Sequence, residues 1–150
     1  MAARKPLVLD NQGERQELQP GDTLDAVVME VDIIKLQNSN SGAITEGQCV
    51  YISGSGTCDL AQADAAATSK VIGLVRESSI GAGSIGEIQT NGELTLAGAS
   101  WLALTGSATL TPNSPYYLSD ATAGAMLTTA PTGTPNSRTR IGTAVRDDTM

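Results

Sequence analysis

The sequence contains no histidine and no phenylalanine, and in 150 residues it has only two cysteines, one tryptophan and three tyrosines. Without histidine, a Ser-His-Asp or Cys-His catalytic arrangement is impossible, and a cysteine nucleophile would need some other base. Two cysteines with no histidine and no second pair also fall short of a zinc site. The scarcity of rings makes the core aliphatic, and small side chains each bury little area, at roughly 25 cal/mol per Å². Self-association is the natural further source of stability. Basic residues are few as well: nine against sixteen acidic, a net charge of −7. An acidic surface argues against direct binding of a nucleic-acid backbone, which needs clustered Lys and Arg.

Long apolar runs are missing too. None approaches the roughly 20 residues that span a bilayer, so no membrane partner is expected. Arg4-Lys5 is followed by only three apolar residues, Leu7 to Leu9, before Asp10, which is not a secretory signal. The expectation is a protein made in the cytoplasm, with Cys49 and Cys58 as two separate reduced thiols. The pair flanks the turn Ser53-Gly54-Ser55-Gly56, so a disulfide stays open as the alternative if the hairpin register brings them together.

What the chain does have is a pattern that occurs twice. Val50-Tyr51-Ile52-Ser53 is matched by Tyr116-Tyr117-Leu118-Ser119, and Ile44-Thr45-Glu46-Gly47 by Leu110-Thr111-Pro112-Asn113. Both copies continue through Gly/Ala/Thr-rich sequence carrying a leucine, Leu60 or Leu127, to an apolar element containing Ile72-Gly73 or Ile141-Gly142. From Val50 to Tyr116 the offset is 66 positions and from Gly73 to Gly142 it is 69, so a three-residue insertion separates the copies. One long-period duplication implies two similar β units folded together, not a solenoid. With 16 glycines and long Ala/Thr/Ser tracts, the chain suits short strands and tight turns better than helices.

Taken in order, Lys5-Pro6-Leu7-Val8-Leu9 reads as a strand, Asp10-Asn11-Gln12-Gly13 as a turn, and residues 14–18 as the returning strand of an arm. Residues 23–36 fit a strand or a helix, and the five acids from Glu17 to Asp32 have no base among them. The turn cluster at 38–42 marks the boundary between an N-terminal arm, 1–40, and a β domain, 41–150. Val71 to Val75 reads as a buried strand. Residues 61–69 read as a loop, with a short helix as the alternative. Asn91-Gly92 predicts a type I′ hairpin between Ile85–Thr90 and Glu93-Leu94-Thr95-Leu96. Between Leu94 and Ser137 the only charged residue is Asp120, which implies either partial burial against neighbours or a small-residue shell of Ser, Thr, Gly and Ala that needs no charge. The second unit stops before its edge is complete, and the arm or another subunit is expected to supply that edge. The fold expected is all-β: a compact barrel or sandwich-like domain with an internal duplication and an extended N-terminal arm.

No cluster reads as chemistry. Asp22 with Asp25, and Asp147 with Asp148, read as solvated faces or tail. Asp59 and Asp64 lack the alternating oxygen ligands of a calcium loop. The glycines of Gly81-Ala82-Gly83-Ser84-Ile85-Gly86 lack the lysine and the following helix of a phosphate loop. At Tyr116-Tyr117, alternation puts one ring on the core and the other on an outer face. The expectation is no enzyme, no metal and no cofactor.

The opening Lys5-Pro6-Leu7-Val8-Leu9-Asp10 and Gln16-Glu17-Leu18-Gln19-Pro20-Gly21-Asp22-Thr23-Leu24 resembles the start of many tailed-bacteriophage virion proteins of the head-decoration and tail-fibre types. Val71-Ile72-Gly73-Leu74-Val75, Ile88-Gln89-Thr90-Asn91-Gly92-Glu93-Leu94 and Leu110-Thr111-Pro112-Asn113-Ser114-Pro115-Tyr116-Tyr117-Leu118-Ser119 are similar to the same group. The resemblance implies a small β-rich structural protein, commonly trimeric, on the outer surface of the phage head. There it would act as cement that binds the major capsid protein and stabilises capsomer contacts; a tail fibre or baseplate-associated adaptor is the alternative. The strand Lys5, Pro6, Leu7, Val8 and Leu9 is the candidate partner-binding segment, placed to leave the body and add to a neighbour's sheet edge.

Overall fold

The computed structural model describes residues 7–9, 15–17, 31–132 and 137–150. Two short strands near the start, β1 (Leu7–Leu9) and β2 (Arg15–Glu17), pair antiparallel in a sheet of their own. Next come β3 (Ile33–Asn38), β4 (Ile44–Thr45), β5 (Cys49–Gly54), β6 (Thr57–Leu60), β7 (Val71–Val75), β8 (Ser79–Ile80) and β9 (Ile85–Gln89). The one helix among the described residues, α1 (Gly98–Thr105), precedes β10 (Pro115–Leu118), β11 (Met126–Leu127) and β12 (Arg140–Thr143). The body is an all-β domain built on a closed five-strand barrel in the order β3-β6-β5-β7-β9.

The barrel closes where β3 meets β9 antiparallel over five residue pairs, Ile33↔Gln89 to Gln37↔Ile85. On its other side β3 runs parallel to β6 through Gln37↔Thr57 and Asn38↔Cys58. Side-chain alternation sends Leu36, Val50, Cys58, Val75 and Ile88 inward, and Ile44 and Ile80 of the small β4-β8 pair join that cluster. A barrel this small is filled by its own side chains. Asn38 is the polar member, fully buried and fully used. Its amide nitrogen donates to the carbonyls of Ile80 and Gly42 at 2.8 and 2.9 Å, and its oxygen accepts from the N–H of Asn40 at 2.8 Å. Burying an amide without such partners would cost a few kcal/mol.

A second core lies between the outside of the barrel and the three-stranded sheet β11-β10-β12. Cys49 and Ala61 from the barrel side meet Tyr116, Leu118, Met126 and Ala144 from the sheet, with Trp101 and Leu104 of α1 and the aliphatics Leu94, Leu96, Leu110 and Met150. Trp101 is completely buried and donates its indole N–H to the carbonyl of Asp148 at 2.9 Å. Tyr116 is buried while Tyr117 is half-exposed, as strand alternation requires.

The β5-β7 and β10-β12 pairs share a register. Val50 pairs with Gly73 and Tyr51 with Val71 across a bulge; Tyr116 pairs with Gly142 and Tyr117 with Arg140 across another. The approach turns match as well. Gly47 donates to the Val75 carbonyl and Val75 to the Gln48 carbonyl, just as Asn113 donates to Ala144 and Ala144 to Ser114. Gly47 has φ +80° and Asn113 has φ +64°, the latter being the only non-glycine residue with positive φ among the described residues. The two sheets nonetheless differ. β5 and β7 are barrel strands, whereas β10 and β12 belong to an open sheet.

Several sequence expectations need correction. The barrel begins at Ile33, inside the stretch 1–40 assigned to the arm, because β3 is a barrel strand. The ambiguous 23–36 segment ends in this strand, and residues 23–30 lie outside the described residues. Val71–Val75 is a strand but only Val75 is buried, and Ile72 is 36% exposed on the outer face. Asn91-Gly92 does not make a type I′ hairpin. Gly92 has φ +96°, but Asn91 is not in the positive-φ region that such a turn demands. The segment after it leaves β9 and pairs with the other end of the chain: Leu94 and Met150 exchange backbone hydrogen bonds at 2.7 and 3.0 Å, and Thr95 bridges Thr149. A disulfide is excluded by the register. Cys58 lies opposite Ile52, Cys49 faces the second core, and both thiols are free and buried.

Candidate functional site

The three-stranded sheet leaves β12 as an edge strand, bonded to β10 on one side only. Ala144 donates to Ser114, so by alternation Gly142 bonds Tyr116, and Thr143 lies in the non-bonded pair opposite Pro115. Pro115 has no N–H to give, so the ladder loses nothing there. The same alternation turns the N–H and C=O of Thr143 away from β10, toward open space. An edge of this kind is ready to pair with another strand.

Two cavities line that edge. One of about 260 Å³ lies between β7 and β12, walled by Ile72, Leu74, Leu94 and Ile141. The other, about 600 Å³, lies toward Asp32, Glu93, Thr143 and Val145. They share Asn91, Gly92, Gly142 and Met150, and so form one continuous groove along β12. Gly142 makes its floor, where a Cβ would come within 2.8 Å of Met150 Cγ. Two acids, Asp32 and Glu93, mark one end. The chain enters the body there, since Val31 packs near Gly92.

Of the partner-binding candidates, Leu7, Val8 and Leu9 form β1, paired with Glu17, Gln16 and Arg15. Lys5 and Pro6 lie outside the described residues, as do Asp22 and Asp25. The remaining acidic candidates serve structure. Asp59 accepts from Asn40 Nδ2 at 2.8 Å and Asp64 from Thr68 Oγ1 at 3.0 Å. Asp147 and Asp148 are exposed, as a solvated face or tail would be, while their backbone carbonyls accept from Leu110 and from Leu96 and Trp101. In the glycine-rich turn, the Gly83 and Ser84 N–H groups are used by the carbonyls of Asn38 and Gly81. Among the described residues no three acidic, cysteine or histidine side chains gather as a metal site, and no helix is long and apolar enough to cross a membrane. Burial pushes the Cys49 thiol far above its ordinary range; burial, then the neighbouring Asp59 charge, raises Cys58. Neither is a thiolate nucleophile near neutral pH.

No protein-family model matches the chain, and no curated protein matches it at a significant level. Asp32, Glu93 and Gly142 were noted in the sequence for other reasons, and nothing there pointed to their meeting Met150 in one groove. The apolar run at 140–145 was read as a strand, and β12 lies at a sheet edge.

Proposed function

We propose that this chain is a non-enzymatic bacteriophage virion protein that decorates the head, binding the major capsid protein on the outer surface and stabilising capsomer contacts. The observation that carries this reading is the open β12 edge with its groove. A protein that assembles into a shell layer needs such an edge, since strand addition between copies supplies affinity through backbone hydrogen bonds and specificity through pockets. The resemblance of the opening segment and the Tyr116-Tyr117 motif to head-decoration proteins supplies the class of partner. A homotrimer is the assembly proposed, from the same resemblance.

Two finer features belong to this reading. The matched registers of β5-β7 and β10-β12, and the paired Gly47 and Asn113 turns, support an internal duplication in which one unit became part of the barrel and the other stayed open. The separate β1-β2 pair supports an N-terminal arm that works outside the body. To test the proposal, the full chain and a form lacking residues 1–20 are mixed with undecorated phage heads and sedimented. Full-chain binding to heads that is lost on truncation is the expected result. Binding to tails and not to heads would overturn the assignment, and undiminished head binding by the truncated form would remove the arm from it.

A further inference from the structure

We infer that the open edge of β12 receives β1, Leu7–Leu9, from a second copy of this chain, running antiparallel to β12. This deepens the self-association part of the reading above and is independent of the capsid. Three observations lead to it. First, β1 and β2 form an isolated two-stranded sheet, and such a hairpin is marginal in water until a third strand or a packed face joins it. Second, β12 presents the complementary vacancy, with the Thr143 N–H and C=O turned outward and an aliphatic groove beside it. Third, the ends match in charge. The groove is acidic at the Asp32 and Glu93 end, toward which β12 runs, and the sequence carries Arg4-Lys5 just before β1 and Asp10 just after it. Antiparallel docking brings the basic end to the acids, whereas parallel docking would bring Asp10 there. Like charges facing one another oppose that arrangement.

A second copy is favoured over the chain's own arm. The connection between β2 and Val31 is residues 18–30, long enough to span about 45 Å when extended. Despite that slack, β1-β2 and β12 stay in separate sheets within one chain. In this contact each copy gives β1 and receives a strand at β12, so it is heterologous, and it closes into a ring if the rotation between neighbours permits.

Disulfide trapping in mixed samples tests this directly. Full-length chains carrying Leu7→Cys, Val8→Cys or Leu9→Cys are each mixed with full-length Thr143→Cys under mild oxidation, with each variant alone as control. The native thiols, both buried, do not compete. The expected outcome is a two-chain product in at least one mixture, at least about tenfold above the controls, stable in denaturant and lost on reduction. Absence of such a product in all three mixtures overturns the inference. Light scattering of the full-length Val8→Pro variant adds a second measurement, because proline takes a ladder donor from the arm without touching the barrel. Its association should weaken at least about tenfold, and association equal to the parent chain also overturns the inference. No capsid enters either experiment, so head binding can fail while this holds, and the reverse.

Discussion

The strand pairs β5-β7 and β10-β12 share a register and an approach turn, yet they carry different residues at corresponding places. Gly47 and Asn113 hold the same position before β5 and β10, both with positive φ. At Gly47 a side chain would collide with Leu104 and Leu96, whereas Asn113 already carries one and is exposed. Gly73 and Gly142 sit at equivalent points of β7 and β12. A Cβ at Gly73 would strike the backbone carbonyl of Gln89, where β9 crosses to close the barrel; at Gly142 it would meet the Met150 side chain. At Gly73 the barrel pair is bounded by the backbone of β9 and the side chain of Ile88. The other is bounded by a flexible side chain and an open edge, and so has room to change.

This contrast can be broken by substitution. Gly73→Ala should have the largest effect, because closed-barrel backbone must shift: a loss of about 3 kcal/mol, read as a fall in the urea midpoint. Gly47→Asn comes next at about 2 kcal/mol, since asparagine accepts the φ but not the crowding under α1. Gly142→Ala should cost only about 1 kcal/mol, as Met150 can change rotamer. A loss equal to that of Gly73→Ala would end the distinction between the two units. Asn113→Gly should be smallest, within about 0.5 kcal/mol, because glycine suits the positive φ and the site is open. On a melting curve the last variant should overlay the parent.

The β-rich class was legible from glycine content, strand-length apolar runs and turn clusters, and the Tyr116-Tyr117 alternation could be read directly. What escaped the sequence reading depends on partners far away in the chain. Residues 93–96 carry a plain strand signal, but they pair with Thr149 and Met150, and no local pattern can point across that distance. Helix α1 had little to announce it. It has no side-chain N-cap, no acidic residue in its first turn and no basic residue in its last. It forms because Trp101 and Leu104 are buried in the second core and Gly106, with φ +77°, ends it in the left-handed conformation. Val71–Val75 reads as buried by its apolar run, but alternation on a barrel wall leaves Ile72 outside. For the site, the strand at 140–143 was visible, while its groove depends on how β12, Gly92 and Met150 come together.

The seam between β3 and β9 also has a meaning in time. Ile33 meets Gln89 across more than fifty residues of chain, whereas the β5-β6 hairpin needs only its own turn, and closing a long loop costs more entropy than closing a short one. The expected order is hairpin first and seam last, with amide protection during refolding rising in β5 and β6 before β3; simultaneous protection of all three would refute it. Until the seam closes, the edges of β3 and β9 lie bare beside those of other nascent chains, and the interval before closure is when this protein is most exposed to wrong pairing.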